Sequence, residues 1–277
     1  PRDLRRPFFQ GPVGGYGGAY GWTHDLRYLC NCGDNNYHSL QTKLTKRFTR
    51  GYSLLATYTL QRLRNHGGDQ YFFDRDLEYG SPEWARTHTV TLATTVELPF
   101  GRGRRYGGDI SRGLDYVIGG WQLNASGYLA SGQHLNVEYR DAGQDRDVSP
   151  NRPDVIGDIN EGGGSQERWF NATPIGSPGS AFGRPARGTF GNMERGSLIG
   201  PGYWNVDASL FKRFAFTDRM NLELRLEAVN VFNHVNLGNP DTTIGVPGNN
   251  NLNAGRITST GPNWQARNLQ FGVRFQF

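Results

Sequence analysis

The chain has 277 residues and a net charge of +5; its 39 glycines are about twice the usual ~7% share, and 13% of residues are aromatic but only 36% hydrophobic. No unbroken apolar run exceeds three residues, which excludes a helical membrane span of about 20 apolar residues and a buried parallel sheet built from continuous Val/Ile/Leu strands. The aromatic content argues against disorder, and the basic residues, nearly all arginine, are spread along the chain rather than gathered into the stripe of a nucleic-acid binder.

Residues 1–37 carry no periodic pattern and read as an irregular lead-in. The opening PRDLRRPFFQ lacks the apolar stretch of a secretory signal. That suits a cytosolic chain, a mature one or a piece of a longer protein. Cys30-Asn31-Cys32 with His24 and His38 offers soft-metal donors. Two thiolates two residues apart make a poor structural site, so incidental loop cysteines are the better reading. No metal and no cofactor is assigned.

From residue 38 onward the signal is alternation with a period of two. Residues 38–48 place Leu40, Leu44 and Phe48 on one face and Ser39, Gln41, Lys43 and Thr45 on the other. Residues 52–62 and 87–98 repeat the pattern, and 118–132 show it more weakly. Residues 203–214 set Val206, Ala208 and Leu210 against Asp207, Ser209 and Arg213. Residues 220–229 set Leu222, Leu224 and Leu226 against Glu223, Arg225 and Glu227. Residues 268–277 set Leu269, Phe271, Val273, Phe275 and Phe277 against Gln270, Gly272 and Arg274. Such alternation predicts antiparallel strands with one apolar and one wet face. The expected class is therefore all-β, an up-and-down meander of about seven or eight strands with no parallel pair.

The connections hold the other candidates. Gly101-Arg102-Gly103-Arg104-Arg105-Tyr106-Gly107-Gly108 is similar to basic glycine-rich nucleic-acid segments, but a basic turn is the better reading, and no nucleic-acid partner is assigned. Asp154, Asp158, Asn160 and Glu161 offer oxygen ligands without the spacing of a calcium loop. Tyr71, Phe72, Phe73, Trp84, Trp169 and Phe170 are loop aromatics able either to stack on a ligand or to tie a loop onto itself. No nucleophile–base set or carboxylate pair stands in a motif context, so no enzyme activity is expected.

Two surroundings fit the apolar face: a second sheet in a soluble, sugar-binding sandwich, or lipid around a transmembrane barrel with a polar lumen. Connections alternate between short or medium (49–51, 99–117, 215–219) and long (63–86, 133–202, 233–267). Outer-membrane barrels do this, with short periplasmic turns and long extracellular loops. Lys46 and Lys212 fall on apolar faces near the turn ends, where they are expected to snorkel to the interface. The barrel is the favoured reading, and the bacterial outer membrane the expected location. Leu222, Leu224, Leu226, Leu269, Phe271, Val273, Phe275 and Phe277 are then expected to be exposed to lipid. Asp207, Arg213, Glu223, Arg225, Glu227 and Arg274 are expected to face the lumen.

Asn205-Val206-Asp207-Ala208-Ser209-Leu210-Phe211-Lys212, Glu227-Ala228-Val229-Asn230-Val231-Phe232-Asn233-His234, Gly255-Arg256-Ile257-Thr258 and the run from Leu269 to Phe277 resemble the end of TonB-dependent receptors. The resemblance is to the Oar-like branch that carries a carboxypeptidase regulatory domain. Glu97-Leu98-Pro99-Phe100-Gly101-Arg102-Gly103 and Gly120-Trp121-Gln122-Leu123 match the same branch. The resemblance implies a barrel of about 22 strands with a plugged lumen, importing a scarce ligand with energy from TonB. It also implies that the last strand, ending in Phe277, is read by the barrel assembly machinery. Against that family, 1–37 becomes an extracellular lead-in and 38–277 a C-terminal segment not closed on its own. TonB would act through a part of the protein lying outside this chain. A small intact barrel is the alternative. The ligand class stays open between a small molecule, an oligosaccharide and a peptide.

Overall fold

The computed structural model describes residues 33–67, 75–140, 151–186, 189–217, 219–262 and 264–277. Seven long strands carry the fold: β1 (Asn35–Thr49), β2 (Tyr52–His66), β3 (His88–Glu97), β4 (Trp121–Ala130), β5 (Tyr203–Ala215), β6 (Asn221–Val229) and β7 (Asn268–Gln276). They form one sheet in chain order, every neighbouring pair antiparallel. Four of them have nine or ten residues, close to the ~9–11 residues of a tilted membrane strand.

The register carries the alternation from strand to strand. One lateral row joins Tyr52, Val96, Leu123, Leu210, Leu226 and Phe271. The next joins Trp121, Lys212, Leu224 and Val273. The opposite face has a row of Ser53, Thr95, Asn124, Ser209, Glu227 and Gln270 and another of Arg213, Glu223 and Arg274. A one-residue slip would exchange the two faces, so the pattern and the pairing fix each other. At the first hairpin Arg50 and Gly51 both have positive φ, 54° and 84°, the geometry that suits a two-residue turn to the sheet's twist.

The apolar face has no second sheet against it. Leu40, Leu44, Phe271 and Val273 are exposed, Phe271 to 77%. The soluble sandwich is therefore overturned. So is a closed small barrel, because among the described residues nothing pairs with the outer edge of β1 or of β7. Full exposure on β6 is corrected too: Leu222 and Leu226 are half-buried, flanked on both sides by Phe214 and Phe275 or by Leu210 and Phe271. β7, at the sheet edge, has neighbours on one side only.

Three further expectations need correction. Strand β1 begins at Asn35, inside the 1–37 lead-in, and β2 runs to His66, inside the 63–86 loop. Parallel pairing does occur, in a short ladder of Thr243–Ile244 with Glu138–Tyr139 that lies in the connections. Lys212 does not snorkel: it is 2% exposed, and its ammonium donates to the carbonyls of Gly119 and, at 3.5 Å, Val117. Those carbonyls end a short helix, α1 (Arg112–Ile118), that the chain pattern did not announce. Helix C-termini leave carbonyls without intrahelical partners, and the lysine supplies donors. Lys46 is half-buried, and its ammonium donates to Thr49 O at 3.0 Å and Tyr52 O at 3.3 Å.

Candidate functional site

The main apolar core lies in the connections rather than in the sheet. Leu135, Val137, Tyr139, Phe170, Ile175, Phe182, Met193, Leu198, Ile244 and Val246 form one buried cluster. All come from 133–202 and 233–267, so these two long loops fold together as a cap beyond the loop end of β4 and β5. Two-residue strands pin it: His134–Leu135 with Leu198–Ile199, and Asp154–Val155 with Phe182–Gly183.

Two arginines fasten the cap to the third long loop. Arg152 and Glu78 make an ion pair at 2.9 Å, both side chains buried, and Arg152 also donates to Leu77 O. Arg195 donates to Asn65 Oδ1 at 2.8 Å and Asn65 O at 3.0 Å, at the end of β2. Burial lowers the Arg195 pKa from its ordinary value, while Glu78 opposes the shift. The backbones meet closely here: a Cβ on Gly80 would run into the Arg195 carbonyl. That contact admits only glycine.

The turn after β6 is built from asparagines. Asn230 and Asn233 take φ of 51°, a left-handed conformation that asparagine tolerates better than most residues. Asn230 N donates to Asp207 Oδ1 at 2.8 Å, and its side-chain amide donates to His234 O at 3.0 Å and Gln265 O at 2.9 Å. The His234 ring stacks on Trp204 at 4.0 Å. Trp204, His234, Trp169, Val90 and Leu129 line a crevice of about 460 Å³ where the cap meets the sheet.

A second cavity of about 660 Å³ lies on the polar face. Its lining runs from Lys43 on β1 through Ser53, Thr95 and Asn124 to Asp207, Ser209 and Glu227. One hollow touched by both β1 and β6 makes this face the concave one. Toward the turn end, Glu223 accepts from Arg225 at 2.7 Å and from Arg213 at 3.3 Å. Hydroxyls, amides and charges of both signs make this face hydrophilic.

The loop aromatics separate. Tyr71, Phe72 and Phe73 lie outside the described residues, as do Cys30, Cys32 and His24. Trp84 is 67% exposed. Trp169 packs beside the cap core, and its Nε1 donates to Ile199 O at 2.7 Å. Phe170 is fully buried, edge-on to Phe182 at 6.2 Å. As a ligand contact Phe170 is corrected: it ties the loop to itself. Asp154 and Asp158 accept from the backbone of Asn192 and Asn160 at 2.9 and 2.8 Å, and among the described residues no group of three or more His, Cys, Asp or Glu converges. Sequence reasoning missed Arg152 and Arg195. The one available signal was their placement inside a long, glycine-rich loop.

The family model of the outer membrane beta barrel domain matches residues 1–270. No curated protein and no solved structure was found to match the chain.

Proposed function

The chain belongs to the outer membrane beta barrel family and hence to the bacterial outer membrane; from that premise we propose that it forms part of the wall and extracellular face of a TonB-dependent receptor importing a scarce ligand. One observation carries the reading: an open, curved meander of seven strands has a separately cored cap at one end. Lipid accounts for the exposed row of Leu269, Phe271, Val273 and Phe275 on β7, continued by Leu222, Leu224 and Leu226 on β6. The lumen accounts for Asp207, Arg213, Glu223, Arg225, Glu227 and Arg274 on the opposite face. Unpaired strand edges are not tolerated in lipid, so further strands close the wall against β1 and β7. The barrel assembly machinery reads the strand that ends at Phe277, and TonB acts through a plug outside the described residues. Trp84 and the cap present the ligand surface, and the polar cavity admits a small molecule, an oligosaccharide or a peptide. No catalytic step is assigned.

The test is growth of the source bacterium on single limiting nutrients after deletion of the segment encoding the cap. Iron chelates, cobalamin, oligosaccharides and peptides serve as the panel. Loss of growth on one class, reproduced by deletion of TonB, supports import. Unchanged growth on every class, or a loss that TonB deletion does not reproduce, overturns it.

A further inference from the structure

The connection between β3 and β4, residues 98–120, is long for a turn, and the structure uses it to build something on the outside of the wall. Its position follows from Lys212, which stands in the apolar lateral row with Leu224 and Val273. The Lys212 ammonium is covered by the end of α1 and bonded to its carbonyls. Trp121, in the same row, donates from Nε1 to Val117 O at 3.0 Å. Helix α1 therefore lies against the apolar face, at the turn end of β4 and β5.

The segment is held as one piece. Ser111 Oγ accepts from Leu114 N at 3.3 Å at the helix start. Asp115 Oδ1 accepts from Arg102 N at 2.7 Å and joins the helix to the turn that precedes it. Phe100 and Tyr106 pack ring to ring at 5.8 Å. Yet Phe100, Tyr106, Leu114, Tyr116 and Val117 all remain exposed, Val117 to 65%. Leu114 and Val117 stand three apart, on one helix face.

Charge identifies what covers them. By sequence, the three turn-end connections (50–51, 98–120 and 216–220) hold six arginines against three aspartates. Within the segment Arg104 is paired with Glu97 at 2.8 Å, while Arg102, Arg105 and Arg112 are exposed, Arg105 over the Tyr106 ring at 5.5 Å. Apolar and aromatic side chains interleaved with arginine are what the headgroup layer of an anionic leaflet selects.

We propose that residues 100–118 form a membrane anchor on the outside of the wall, lying in the headgroup layer at the turn end and holding anionic phospholipid through Arg102, Arg105 and Arg112. The proposal rests on the lipid-facing reading of the apolar sheet face, and the test separates the two. The protein with its wall closed by those further strands, carrying Cys30→Ser and Cys32→Ser, receives a fluorophore at Val117→Cys or, as a reference, at Phe271→Cys. It is reconstituted in phosphatidylethanolamine vesicles containing either phosphatidylglycerol or phosphatidylcholine with a nitroxide near the headgroup, or a lipid brominated in mid-chain.

The anchor predicts quenching at position 117 by headgroup nitroxide, stronger by about twofold or more for phosphatidylglycerol, given the attraction of each arginine near an anionic surface. Combining Arg102→Gln, Arg105→Gln and Arg112→Gln should bring that ratio to unity while phosphatidylcholine still quenches. Quenching at 271 by brominated lipid with none at 117 overturns the anchor alone. Silence at both positions overturns the wall reading and the anchor with it. An equal ratio in the parent, or a ratio the triple variant leaves unchanged, overturns the recognition of anionic lipid.

Discussion

Asn236 binds Trp204 as a neighbouring strand would: its Oδ1 accepts from Trp204 N at 2.8 Å, and its Nδ2 donates to Trp204 O at 2.9 Å. Trp204 lies beyond the last residue of β5 that pairs with β6, Ala208, so the side-chain amide takes over where the ladder stops. Asn236 is 2% exposed, and water does not replace it readily. Asn236→Ala should cost about 2–6 kcal/mol, from two backbone groups left unsatisfied at ~1–3 kcal/mol each. Asn236→Asp should also destabilise, because it loses the donor to Trp204 O. Thermal unfolding of the detergent-solubilised protein checks both; a change below about 0.5 kcal/mol, the scale of neutral surface substitutions, would show the pairing to be incidental.

The Arg152–Glu78 pair should behave as a clasp between the cap and the loop after β2. Removing one partner breaks a buried ion pair, and the usual cost is about 3–5 kcal/mol. Glu78→Ala or Arg152→Ala should therefore expose the cap to limited proteolysis while the strands stay resistant. The double replacement Glu78→Leu/Arg152→Met should recover most of the protection, since a buried pair is often no better than apolar residues of like size. Equal protease sensitivity in the single and double variants would count against the clasp.

The sheet was legible and the cap was not, for one physical reason. A half-exposed strand must alternate, so Leu222-Glu223-Leu224-Arg225-Leu226 declares its two faces without help from any neighbour. Phe170 and Phe182 belong to a core assembled from irregular backbone, where no period links sequence to burial. Glu78, Arg152 and Arg195 meet across separations of 74 residues and more, and no local pattern encodes such a meeting. Helix α1, at seven residues, is too short for a helical period to emerge. The asparagines at 230 and 233 were visible as a repeated residue type, but only the left-handed φ and the bonds to Asp207, His234 and Gln265 give them a physical role.

Phe170 and Trp84 should now respond in opposite ways. Phe170→Ala opens a hole in the cap core, at about 3–5 kcal/mol for a buried phenylalanine. Trp84→Ala removes a ring that is mostly in solvent, and stability should move by about 0.5 kcal/mol or less. If Trp84 touches the imported ligand, its variant loses uptake without losing stability, whereas Phe170→Ala loses the cap itself. Parallel measurement of unfolding and of growth on the limiting nutrient separates them. A destabilised Trp84 variant would move that residue into the packing class as well.

Leu224 and Glu223 are adjacent in the chain and face opposite ways, so they test the assignment of faces directly. Leu224 stands between Lys212 and Val273 on the apolar side. Glu223, on the other side, accepts from Arg225 at 2.7 Å and Arg213 at 3.3 Å. A charge on the lipid face costs about 2–4 kcal/mol at the bilayer midplane and about 0–1 near the interfaces. Leu224 is one row closer to the turn end than Leu226, so Leu224→Arg should fall between those limits and Leu226→Arg should cost more. Glu223→Gln keeps the shape and one acceptor oxygen but loses the charge and the second acceptor, and it should cost about 1 kcal/mol, as expected for partly exposed ion pairs. Refolding of each variant into vesicles as part of the closed barrel, followed by denaturant titration, gives the three values. The expected order is Leu226→Arg, then Leu224→Arg, then Glu223→Gln; a Glu223→Gln cost equal to that of Leu226→Arg would mean that lipid does not lie on the leucine side.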